Sequence, residues 1–92
     1  LNMIYNQYKQ MVINVTNQQL MPMTVDNKLT LNDLEILSNQ TNNVPVHVKS
    51  AIGFLLKNFS NIAIMGDKDV SSISKEDINS FSQQNPTFDI QV

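Results

Sequence analysis

Lys28-Leu29-Thr30-Leu31-Asn32-Asp33-Leu34 and Ser72-Ile73-Ser74-Lys75-Glu76-Asp77-Ile78 share one order of residue types at an offset of 44 residues. Each has an aliphatic residue, a hydroxyl, an acid three places on, and another aliphatic. Farther along, Leu37-Ser38-Asn39-Gln40 meets Phe81-Ser82-Gln83-Gln84 at the same offset. A hydroxyl three residues before a carboxylate is the pattern of a helix capping box, although Asp is a shorter partner than Glu. The chain therefore reads as two copies of helix–loop–helix. Neither copy can bury its apolar face alone, and packing the two together gives one four-helix lobe.

The segments around this repeat fit helices. From Asn2 to about Leu20, Ile4, Tyr8, Met11 and Val15 recur at helical spacing, and Pro22 ends the run by disfavouring α geometry in Met21. Met23 to Lys28 is polar, with Asp26-Asn27 suited to a tight reversal. The second helix starts after Thr30 with Leu31, Leu34 and Leu37 inward, and it frays around Gln40 to Asn43. Pro45 suits the first position of the third helix, where its missing N–H costs nothing. Val48, Ala51, Ile52, Leu55, Leu56 and Phe59 give this helix the widest apolar stripe. Gly53 inside it costs about 1 kcal/mol relative to Ala, which points to close approach of a neighbouring helix. After Met65 comes a second polar loop, Gly66 to Ser72, and then a fourth helix capped by Ser74. That helix carries Ile78 and Phe81 inward and is expected to stop at Pro86. Residues 1–87 are expected to form the domain and 88–92 an extended tail toward the rest of a longer protein.

Composition narrows the function. A chain of 92 residues supports one modest core. Charged residues make up 15%, against about a quarter in average domains, while Asn and Gln supply roughly a fifth. The net charge of −2 and the lack of any Lys/Arg cluster remove the usual attraction to phosphate backbones, so nucleic acid is not expected as a partner. Without Cys there is neither a disulfide framework nor a thiolate zinc site. No apolar run approaches the roughly 20 residues that span a bilayer, so no transmembrane segment is expected.

The loops and the helices leaving them resemble the EF-hand family, whose loop has the form Asp-x-Asp/Asn-x-Asp/Asn-Gly-x-Ile-x-x-x-Glu. The resemblance implies that Leu29 and Ile73 pair across the two loops as a short strand. It also sets Asp33 and Asp77 at the place of the family's final bidentate Glu. Calcium takes six or more oxygen ligands. In the first loop Pro22 and Thr24 stand where ligands are needed, so that loop is not expected to bind. In the second, Asp67, Asp69 and Ser71 alternate correctly and Asp77 closes the set, but the loop is one residue short and Ser72 replaces the turn glycine. No cofactor is expected unless this loop binds calcium weakly. Otherwise Asp67 and Asp69 hold the loop's own backbone, and Asp77 sits at the positive end of the fourth helix. Ile73 to Ile78 and Leu29 to Leu34 are also similar to EF-hand-like modules of bacterial type III secretion translocators and effectors of the HrpF/NolX kind. That similarity implies a protein secreted by bacteria, acting at or inside a host cell, with a host-cell or secretion-system protein as partner.

Catalytic patterns are wanting. His47 is the only histidine and is expected to face solvent, and no nucleophile turn accompanies it. The two glycines form no phosphate cradle. The expected function is a non-enzymatic interaction or structural domain. A calcium-responsive module with one working loop at 67–77 and an accessory lobe of a larger enzyme are the alternatives. Five methionines suit either core filling or an adaptable binding groove.

Overall fold

Thr30 and Ser74 each place a side-chain oxygen on the backbone N–H three residues ahead, and Asp33 and Asp77 reach back to the N–H of the capping residue. Both capping boxes are thus complete, and they start α2 (Leu31–Asn39) and α5 (Lys75–Gln83). Just before them lie β1 (Lys28–Thr30) and β2 (Ser72–Ser74), paired antiparallel with Leu29 opposite Ile73. A computed structural model of the chain describes residues 2–40 and 43–84, with side chains from Tyr5 onward. The expected stop at Pro86, the 88–92 tail and the Ile4 side chain lie outside the described residues. The fold is all-α in character with this one small ribbon.

The first helix does not keep one winding. It runs as α1 (Asn2–Val15), widens into a π turn over Thr16–Leu20 and tightens into a 3-10 turn over Met21–Met23. Inside the core, the Thr16 hydroxyl donates to the Val12 carbonyl at 2.7 Å. Such back-bonding competes with the regular ladder. The Met21 N–H then bonds five residues back, to Thr16. The shift turns both Leu20 and Met21 inward. The helical path therefore ends at Met23 rather than at Met21-Pro22, closed by Thr24, whose N–H and hydroxyl both donate to the Met21 carbonyl.

Five α-helices, not four, occur among the described residues. The third helix breaks at Asn58, whose side-chain amide and backbone N–H both donate to the Phe54 carbonyl. This local competition ends α3 (Val46–Lys57), and α4 (Phe59–Ala63) starts directly after Asn58. Pro45 serves as the residue before the helix, accepting from Val48 and Lys49, instead of as its first turn.

The buried apolar residues form one cluster drawn from every helix and both strands. Val48, Ala51, Ile52, Leu55 and Phe59 lie in it as their spacing predicts, joined by Phe54. In α1 the fully buried position is Val12, while Tyr8 and Met11 are only partly covered. Leu31, expected inward, is 46% exposed because it opens the first turn of α2, whereas Leu34 is fully buried. Phe54 stacks on Phe81 at 5.8 Å and meets Tyr8 edge-on at 5.6 Å, which ties α1, α3 and α5 together. Aromatic pairs of this kind add about 1 kcal/mol each beyond their buried area.

Gly53 does not mediate close packing. It is exposed on α3, and a Cβ there meets nothing within 4 Å. The glycine that a close approach requires is Gly66, where a Cβ would overlap the Glu76 carbonyl and the Asp77 N–H at the start of α5.

Candidate functional site

The two loops feeding the ribbon hold most of the polar chemistry, and they are built differently. In the second, Asp77 is fully buried and both of its carboxylate oxygens accept. Oδ1 receives the N–H of Gly66 at 2.8 Å and of Asp67 at 3.2 Å. Oδ2 receives the N–H of Ser74 at 2.8 Å. The Ser74 hydroxyl lies 2.9 Å from Asp67 Oδ2 and 3.0 Å from Asp77 Oδ2, and its single proton can serve either carboxylate.

Asp67 Oδ1 accepts from the Asp69 N–H, and Asp69 Oδ1 accepts from both the N–H and the hydroxyl of Ser71. The side-chain hydroxyl of Ser71, then its N–H, hold the Asp69 carboxyl below its usual range; slight desolvation works against them and Lys28 adds a small Coulombic pull. Of the expected metal set, Asp67 and Asp77 are thus joined through Ser74, while the exposed Asp69 and Ser71 pair with each other and meet Asp67 only through the Asp69 backbone N–H. Among the described residues no group of three or more His, Cys, Asp or Glu is arranged to hold a metal ion.

The first loop lacks the matching closure. By the repeat offset of 44 residues, Pro22 stands in the first loop where Gly66 stands in the second. Proline has no N–H to give to Asp33, and its ring occupies the space that a glycine leaves empty. Asp33 therefore caps only Thr30, at 3.1 Å. The loop turns by its own means: Asn27 adopts φ 58°, and Asp26 accepts the Lys28 N–H. Between this loop and α2 lies an open groove of about 480 Å3, walled by Met23, Val25, Ile36 and Leu37 with Asp26 and Asp33 among them. Met23, Val25 and Ile36 are three of the seven large apolar side chains exposed among the described residues, so a substantial share of the exposed apolar surface gathers at one place.

Sequence reasoning did not find this groove. The signal was present in the offset of 44, which sets a residue without an N–H opposite one that donates. Burial also perturbs two residues of α1. Lys9 is buried across α5, its ammonium 5.2 Å above the Phe81 ring and donating to the Gln84 carbonyl, and burial lowers its pKa. Burial likewise raises the pKa of Tyr5.

His47 is exposed at the start of α3, as its position predicts. No helix among the described residues is long and apolar enough to cross a membrane. No protein-family model, curated protein or solved structure matches the chain.

Proposed function

We propose that this chain is a non-enzymatic protein-interaction domain made of two degenerate EF-hand-like units, belonging to a protein that bacteria secrete toward a host cell in the manner of type III effectors and translocators. The observation that carries the reading is the placement of Leu29 directly opposite Ile73, with a capping box following each. Two units related in this way support one another through the ribbon and the shared core, with no need for a bound ion. The second loop's oxygens are taken up by its own N–H and hydroxyl groups, which supports stability by hydrogen bonds instead of calcium.

Thermal melting in millimolar calcium and in chelator tests this. An unchanged midpoint supports the proposal. A midpoint that rises with calcium and loses that rise in Asp67→Ala favours a calcium-responsive module, because a ligand bound only by the folded form stabilises it. A reporter fused to the full parent protein, followed into host cells from bacteria with and without a working secretion apparatus, tests the location.

A further inference from the structure

We infer that the groove between the first loop and α2 is the docking surface of the domain, and that its occupant is a partner segment presenting aliphatic side chains beside lysine or arginine. The inference rests on the interaction reading above and names the face and the partner chemistry. Three observations lead to it.

The groove lies beside the loop that lacks the closure seen in its counterpart. Gly66 donates its N–H to Asp77 and closes the second loop, whereas Pro22 at the corresponding place has no N–H to give to Asp33, which lines the groove. The walls of the opening are apolar and exposed at Met23, Val25 and Ile36, and the flexible thioether of Met23 adapts to varied side chains. The polar groups among them are the neutral Thr24 and Gln40 and two acids, and the acids are the only charged side chains in the lining. Asp26 and Asp33 line the groove, and no lysine or arginine lines it to match them. Charge complementarity therefore selects a cationic occupant.

The occupant docks by its side chains. Adding a strand to the edge of β1 needs free donors there, and the N–H groups of Lys28 and Thr30 are held by Asp26 and Asp33. A second copy of this chain is a poor candidate, since its net charge is −2 and one of its six lysines, Lys9, is buried in the core.

The test is an amide NMR titration of the 92-residue chain with two synthetic amphipathic peptides that share one leucine face, one carrying lysine and the other glutamate. The lysine peptide is expected to shift the amides of Val25, Asp26 and Ile36 saturably, and the glutamate peptide to leave them in place. Val25→Ser, at a fully exposed position, and Asp26→Asn are each expected to weaken binding several-fold with the spectrum otherwise unchanged. Equal binding of both peptides, indifference to both substitutions, or no binding overturns the inference. Shifts of the same amides on raising protein concentration alone assign the face to a second copy and overturn it too. Shifts confined to Val46 and Ile64, exposed elsewhere, overturn the groove while leaving the interaction module intact.

Discussion

Asp77 accepts the N–H of Gly66 at 2.8 Å across eleven residues, and the missing side chain of Gly66 is what allows the two backbones to come so near. Removing either half of this contact is expected to open the second loop. Asp77→Ala leaves the N–H groups of Gly66, Asp67 and Ser74 without their acceptor, part-buried for the first two and buried for Ser74, at about 1–3 kcal/mol for each group that finds no water. A loss of about 3 kcal/mol or more in urea unfolding is the expected result. Asp33→Ala, which frees only the Thr30 N–H, is expected to cost about 1 kcal/mol.

The two glycines are expected to respond oppositely to alanine. Gly66→Ala drives a methyl group into the first turn of α5 and is expected to cost about 3 kcal/mol by overpacking. Gly53→Ala meets open space within α3 and is expected to stabilise by about 1 kcal/mol through helix propensity. Melting curves of the two variants, measured together, check both signs.

The caps differ in the same direction. Thr30→Ala removes one capping oxygen from a half-buried site and is expected to cost about 1 kcal/mol. Ser74→Ala also removes a donor shared by two carboxylates in a buried place, and about 2 kcal/mol is expected. Chemical denaturation that ranks the two the other way would contradict the buried network around Ser74.

Lys9 separates stem from charge. Lys9→Ala removes packing across Phe81 and is expected to cost about 2 kcal/mol, whereas Lys9→Met keeps the stem and is expected to stay within about 1 kcal/mol of the parent. Burial lowers the pKa of Lys9, so its charged form is penalised in the folded state at neutral pH. That penalty is lifted as pH rises from the lowered folded value to about 10.4, the value of a free lysine. The stability of the parent relative to Lys9→Met should therefore improve over that alkaline window. Tyr5 acts oppositely: its raised pKa means stability lost as pH climbs from the ordinary tyrosine range to the folded value. Comparing the two proteins cancels the Tyr5 effect.

Asp69 offers a readout on the loop surface. Its carboxyl is expected to titrate below 3.8, and Ser71→Ala, which removes the first of the causes, is expected to bring it back toward that value. The stability it contributes is present above the ordinary carboxylate range and fades as pH falls through the lowered value. Carbon-detected NMR of the carboxyl follows this directly.

What could be read from the residue order was mostly local. Thr30 and Asp33, like Ser74 and Asp77, announce their caps because both partners lie within one turn. The repeat marked Leu29 and Ile73 as equivalent, and their pairing was expected from the resemblance of the two loops to paired EF-hand loops. Asn58 was missed because the apolar stripe runs on through it, while its side chain takes the Phe54 carbonyl. The close approach expected at Gly53 occurs at Gly66 instead, since what surrounds a missing Cβ depends on contacts far along the chain. The opening beside α2 was missed for the same reason: Pro22 matters only through what Gly66 does in the other half.

The pairing of β1 with β2 also bears on how the molecule assembles. Leu29 and Ile73 stand 44 residues apart, with α2, α3 and α4 strung between them. Closing so long a stretch costs chain entropy that the local turns of each helix do not incur, and a two-stranded ribbon this short returns little until a core backs it. The helices are therefore expected to gather first and the ribbon to zip last. Severed between α2 and α3, each half would carry a complete cap and an unmatched strand, and neither would hold its shape until the other arrived.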